Sequence, residues 1–271
     1  MGSFSREFTI RQVTPIIHFQ FDEAGATLRA TELKPKLDRF LCGRYRAEQG
    51  KTVPKAWQIV DAPGNDGRSG YYHLNYKAQV FVNGTPEIIP ENHTYLKFNR
   101  KTGQEIEKVD RHFPMYFGNM GNDDAKAPKE SGENKRGDKH GVFCPEGLTL
   151  KITCLISDKA RREALLTFIG DNLELFFLTH NFGTRQTKGY GGFLYFSEHP
   201  LGKQLALLQK VYPRFIYFQL NSTIQHDKTP AFESAKNPPE WVVKTDLISM
   251  AMKTGRNLRT KKDIDNGIED N

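Results

Sequence analysis

The sequence predicts an α+β fold, with an antiparallel sheet carrying helices on one face, and three observations predict it. Candidate elements run strand, helix, several short strands, strand, helix, Gly-rich turn, strand, helix, strand. From Leu148 onward, an alternating strand leads directly into a long apolar helix pattern. The chain is 37% apolar over 271 residues, with 19 Phe, enough to bury a core without disulfides or metals. A ferredoxin-like (RRM-like) βαββαβ core is the simplest template containing these steps. We divide the chain into a ferredoxin-like N-terminal half (1–117), a charged insertion (118–141), a C-terminal half with the Gly-rich loop (142–252) and a tail (253–271).

The first element, FTIRQVTPIIHFQF over 8–21, is rich in β-formers and predicts a strand interrupted or edged by Pro15. In GATLRATELKPKLDRFL, Leu28, Leu33, Leu37 and Leu41 share a face at helical spacing. Pro35 is best tolerated in a first turn, so the helix is expected to start near it, with Thr31 or Glu32 close to the cap. Short strands follow in WQIVDA, YYHLNYKAQVFV and TYLKF, with a turn at Asn83-Gly84. FPMYFG, from Phe113, is an aromatic cluster. The run from Gly118 to Gly141 is nearly devoid of apolar residues and is expected to be a mobile insertion.

LTLKITCLIS alternates as a strand should, and Asp158 is placed to cap the helix KARREALLTFIGDNLELFFLTH, which is expected to end before Gly170. After the Gly-rich bend come the strand FLYF, the helix LGKQLALLQKV and the strand PRFIYFQL. The charged tail from Lys253 is expected to fray.

Thirty-nine Lys and Arg against 32 acids give a net charge of +7, and the pI is near 9.2, which permits an anionic partner. Three cysteines, none in a CxxC pair, suggest reduced thiols in a cytoplasmic protein. No apolar run approaches the ~20 residues of a membrane span, so no membrane partner is expected.

FGTRQTKGYGGFLYF, from Phe182, is the stretch that bears on function. Gly183, Gly189, Gly191 and Gly192 allow left-handed backbone and close approach. Successive amides in such a bend can form an anion nest, and Arg185 and Lys188 add charge beside it. A plain hairpin with solubilising charges is the bland alternative. The stretch is not a Walker loop, since Tyr190 follows Gly189 where a Lys is required. It is not a dinucleotide fingerprint either, since a strand follows the glycines instead of a helix.

Gly183-Thr-Arg-Gln-Thr-Lys188-Gly189-Tyr190-Gly191-Gly192-Phe193 resembles the Gly-rich loop of the RAMP superfamily of CRISPR-associated proteins, of the form G-x-x-x-x-[KR]-G-hydrophobic-G. The N-terminal part agrees: Thr14-Pro15 lies on the first strand, and Leu28-Arg29-Ala30-Thr31-Glu32-Leu33-Lys34 opens the helix. The chain is most similar to the first-numbered subunit of the type III-B (Cmr) effector complex. The resemblance implies a RAMP fold and a non-catalytic subunit that binds guide RNA in a ribonucleoprotein defending against foreign nucleic acid. It further implies other effector subunits, and target RNA, as partners, and no cofactor.

The residues suit that task. Arg29, Lys34, Lys36 and Arg39 cluster on the first helix, and Arg185 and Lys188 sit on the bend. Phe182, Tyr190 and Phe193 are candidates for stacking on unpaired bases, worth about 1–3 kcal/mol per base. For Phe193, Tyr195 and Phe196, core packing is the better expectation. The alternative is a metal-independent endoribonuclease processing precursor guide RNA, as some RAMP proteins are. It needs a general base, for which His18 and His73 are the candidates, with His180 a third. His140, Cys144 and Cys154 lack a fourth ligand for zinc, so no metal is expected.

Overall fold

The computed structural model describes residues 4–18, 26–59, 71–90, 92–99, 103–111, 140–195 and 201–212. A four-stranded antiparallel sheet is built from β1 (Ser5–Gln12), β3 (Tyr76–Val82), β8 (Leu148–Cys154) and β9 (Phe193–Tyr195), in the spatial order β3-β8-β1-β9. Helix α1 (Ala30–Gln49) lies between β1 and β3, and α2 (Lys159–Thr179) between β8 and β9. This is an α+β succession of β, α, β, β, α, β, compatible with a ferredoxin-like fold. A shorter sheet combines β2 (Ile16–Ile17), β7 (His140–Phe143) and β4 (Glu87–Pro90), and β5 (Asn92–Asn99) pairs with β6 (Gln104–Arg111) as a hairpin. Helix α3 spans Leu201–Val211.

The patterning explains the layers. Along β8, Leu148, Leu150, Ile152 and Cys154 are buried while Thr149, Lys151 and Thr153 alternate to the other face. Leu33, Leu37 and Leu41 of α1, and Leu165, Leu166, Ile169, Leu173 and Phe176 of α2, cover the apolar face. On the uncovered face, Lys151 pairs with Glu7 directly opposite it on β1, at 3.2 Å. Truncating a fully buried leucine such as Leu150 removes about 2–5 kcal/mol in packings of this kind.

Several expectations are met and several corrected. The first strand breaks at Val13–Pro15, as Pro15 suggested. Asp158 caps α2, its carboxylate accepting from the Arg161 amide at 2.8 Å. The helix does not end before Gly170 but runs on to Thr179. A Cβ on Gly170 would sit 3.4 Å from a Phe8 ring carbon, an ordinary van der Waals contact. Burial of the following Leu173, Phe176 and Phe177 outweighs the glycine's cost of about 1 kcal/mol.

Helix α1 begins at Ala30 with Arg29 as N-cap, so Pro35 lies inside it and neither Thr31 nor Glu32 caps it. Pro35 and Thr31, the residue whose carbonyl loses its donor, are both exposed, which lets water replace the missing bond. WQIVDA is no strand where it is described. A 3-10 turn (Lys55–Trp57) leads to a single bridge between Gln58 and Leu74. Residues 71–75 precede β3 instead of joining it. Gly84 takes the left-handed conformation of a turn, but β3 and β4 belong to different sheets, so no hairpin forms there. β4, β6 and β7 were not foreseen, and His140 and Gly141, assigned to the insertion, belong to β7. The FPMYFG cluster, the strand PRFIYFQL, the tail and 118–139 of the insertion lie outside the described residues.

Candidate nucleic-acid interface

The Thr14-Pro15 link, the start of α1 and the Gly-rich loop, far apart in sequence, meet at one place. Thr14 Oγ1 donates to the Gly189 carbonyl at 2.6 Å and accepts from the Gly192 amide at 2.9 Å. Glu32 Oε1 accepts from the Gly183 amide at 2.8 Å and from Lys36 Nζ at 3.1 Å. Lys36 Nζ also donates to the Asn181 carbonyl at 2.9 Å. At the base of the loop, the Phe182 amide donates to the Gly191 carbonyl at 2.9 Å.

Glycine is required at two of these positions by both backbone and space. Gly183 has φ +74° and Gly191 has φ +67°. A Cβ at Gly191 would lie 1.7 Å from the Phe182 carbonyl oxygen, and one at Gly183 would lie 2.5 Å from that of Ile17. The same closeness narrows the expected anion nest to fewer amides. The amides of Thr184 and Gly191 donate to the Ile17 and Pro15 carbonyls at 2.7 and 2.8 Å, and Gly189 donates to Gln186 at 3.0 Å. With Phe182, Gly183 and Gly192, six loop amides have acceptors within the protein, so they do not face an anion.

Of the candidate stacking rings, Phe182 and Tyr190 are buried, and Phe193 packs in the core as expected. Phe182 is 0% exposed, Phe193 1% and Tyr190 6%. Phe182 packs among Phe176, Phe177 and Phe193, and Tyr190 joins Ile17, Ile89 and Phe143 in a small core beside the second sheet. Tyr195 is half-buried, edge-on to Phe8. Phe196 lies outside the described residues.

The loop instead presents a 3-10 turn (Gln186–Lys188), with Gln186 and Thr187 exposed and Arg185 half-buried at its head. The backbone of Lys188 closes the turn; its side chain lies outside the described residues. Arg185 has φ +58° and ψ +29°, and among the described residues it alone is a non-glycine with positive φ.

The helix cations divide. Lys36 belongs to the loop, with Nζ 4.8 Å above the Phe182 ring as well. Lys34 and Arg39 instead face residues 71–76. Lys34 Nζ lies 2.7 Å from Asp38 Oδ2 and 3.1 Å from the Leu74 carbonyl, and the Arg39 guanidinium stands 5.7 Å from the Tyr71 ring. Arg29 is half-buried at the N-cap. Thr14 and Glu32, which hold the loop, were missed as site residues. The signals available were the Thr-Pro pair and an acid in the first helical turn.

Asp38 is fully buried and also accepts from the Leu74 amide at 3.4 Å. Burial pushes its pKa above the usual carboxylate range, and Lys34 offsets only part of that. Burial, with the Asp38 charge beside it, holds the Tyr76 hydroxyl well above its usual range. His73 Nδ1 is 3.2 Å from the Tyr71 hydroxyl and 3.9 Å from Asp38 Oδ2. His18 uses Nε2 to donate to the Thr27 carbonyl at 2.7 Å. His180 stacks on Phe176 at 4.7 Å and donates through Nδ1 to the Phe176 carbonyl at 3.0 Å. Burial lowers its pKa, and Lys36 adds to that. Cys42, Cys144 and Cys154 are free and buried, and burial pushes the Cys144 thiol up to about 11.

Among the described residues, no group of three or more His, Cys, Asp or Glu is arranged to hold a metal ion, and no helix is long and apolar enough to cross a membrane. No curated protein matches the chain. The family model of the Cmr1 N-terminal domain does match it, over residues 4–247. A match of that extent includes the Thr-Pro link, the helix start and the loop that closes on both, and the chain therefore belongs to the Cmr1 N-terminal domain family, RAMP proteins that are subunits of type III-B CRISPR effector complexes.

Proposed function

We propose that this chain is a non-catalytic subunit that holds guide RNA in the cytoplasm, within an effector complex acting against foreign nucleic acid. The observation that carries the reading is the backbone of Arg185. A left-handed conformation costs a non-glycine residue roughly 1–3 kcal/mol, and glycine would occupy φ +58° without strain. At such a position arginine brings a cation that glycine would not. It heads an exposed turn on a loop fixed to β1, β2 and α1, in a chain of net charge +7.

Six of the loop amides are engaged internally, and side chains supply most of the grip on phosphates. Arg185 and Lys188 act at the tip, with Arg29 and Lys36 at the adjoining helix start. Gly183, Gly189, Gly191 and Tyr190 serve by shaping and seating the loop. Lys34 and Arg39 are a second, more distant group. Base pairing between guide and target RNA supplies the sequence reading, and the neighbouring subunits complete the channel.

The test is Arg185→Gly. It removes the cation and the backbone strain together, and a thermal melt checks that the fold is intact. Affinity for a single-stranded RNA oligonucleotide should fall about tenfold at low salt, with the log–log salt slope shallower by about one. Unchanged affinity with an intact fold would overturn the reading.

One observation favours a second reading, a metal-independent endoribonuclease: the juxtaposition of His73 with Tyr71 and the Asp38–Lys34 pair. Defined cleavage of repeat RNA in chelator, lost in His73→Ala, would establish it. RNA left intact would remove it.

A further inference from the structure

We infer that Thr14 and Glu32 are positioning residues, whose side chains set where the loop holds its cations. This rests on the reading of the loop as an RNA grip. The loop leaves α2 at His180 and enters β9 at Phe193; between them backbone bonds to Pro15 and Ile17 pin two points, and side chains add the rest. Thr14 supplies that fixing at one end. Thr14 is 2% exposed, and its hydroxyl joins the Gly189 carbonyl to the Gly192 amide through one oxygen, which spans the tight turn containing Gly191. Glu32 supplies it at the other end, since the same Oε1 takes the Gly183 amide and Lys36 Nζ. Arg185 and Lys188 lie between these two clamps. Thr14 is itself held: Gln12 Nε2 donates to the Thr14 carbonyl at 3.0 Å and to the Val142 carbonyl at 2.8 Å, and its Oε1 accepts from the Cys144 amide at 2.8 Å. The clamp is thus continuous with β1 and the β7–β8 connection, which makes the loop's position a property of the sheet.

The experiment measures affinity of the full chain for a single-stranded RNA oligonucleotide of mixed sequence across a salt series, with a thermal melt of each variant. Thr14→Val keeps the shape and loses both hydrogen bonds, while Thr14→Ser keeps them. Glu32→Ala removes the acceptor, while Glu32→Gln retains an oxygen for the Gly183 amide. Thr14→Val and Glu32→Ala should each weaken binding about tenfold, or 1.4 kcal/mol, with a shallower salt slope, and Ser and Gln should restore most of it. Combined with Arg185→Gly, Thr14→Val should weaken binding by less than the product of the two single losses, because both act on the Arg185 contact. A purely structural role would lower the melting temperature and leave the salt slope unmoved. Thr14→Val and Glu32→Ala binding like the unmodified chain while Arg185→Gly is impaired would sink this inference alone, as would fully multiplicative losses. Should Thr14→Val fail to fold, the half-buried Glu32 carries the test through Ala and Gln. If Arg185→Gly has no effect, the reading beneath it falls first.

Discussion

Two segments close onto α1 with the same chemical parts. At the Gly-rich loop, Glu32 takes the Gly183 amide and Lys36, and Lys36 donates to the Asn181 carbonyl and lies over the Phe182 ring. At residues 71–76, Asp38 takes the Leu74 amide and Lys34, and Lys34 donates to the Leu74 carbonyl and lies over the Tyr76 ring. In each case, a carboxylate and a lysine four residues apart grasp a passing backbone. Burial is what differs. The Asp38 side chain is 0% exposed and the Glu32 side chain 25%, so one device sits in the core and the other at its edge. Removing a member of a buried set leaves its partners without water, whereas an edge set can rehydrate. The 71–76 clamp is therefore a feature of the core, and the loop clamp lies at its solvent-facing edge.

The largest expected effect breaks the buried copy. Asp38→Ala should destabilise the protein by about 3 kcal/mol, read as a shift of the urea midpoint at neutral pH. Next comes the edge copy: Glu32→Ala should lower stability by only about 1 kcal/mol in the same titration. A Glu32 loss as large as that of Asp38 would abolish the distinction drawn here.

Acidity separates the two further, through Asp38 at one segment and His180 beside Lys36 at the other. The raised pKa of Asp38 means the fold binds its proton more tightly than the unfolded chain does. That stability is present below 3.8 and lost as pH rises through the folded value. Relative to Asp38→Asn, the unmodified chain should therefore lose stability over that rise in denaturant titrations. His180 runs the other way, because its pKa is lowered. Its contribution is present above 6.5 and lost as pH falls through the folded value. His180→Gln should flatten that smaller dependence. The smallest signal is chemical: with Cys144 held at about 11 and all three thiols buried, a thiol reagent at neutral pH should label the chain only after denaturation.

Legibility in the sequence tracked how local each cause was. The alternation of LTLKITC, the Asp158 cap and the limits of α3 are written in neighbouring residues, and they stand. The length of α2 was not readable, because the burial of Leu173, Phe176 and Phe177 that carries it past Gly170 involves residues far away in sequence. β6 escaped notice because QEIEKVDR is mostly charged and its ladder to β5 supplies the order. The same division holds at the site. The cations of the loop were visible, but the fates of its amides and rings depended on Thr14, Glu32 and Ile89, which no local pattern connects to it.

The bond between Phe182 and Gly191 gives the loop a closed neck, with Gln186 and Thr187 out at its crown. A closed neck insulates. Residues added or exchanged at the crown need not disturb the sheet beneath, since loop length adds little cost once the ends are joined. The crown can thus change in length or charge while the clasp below stays as it is.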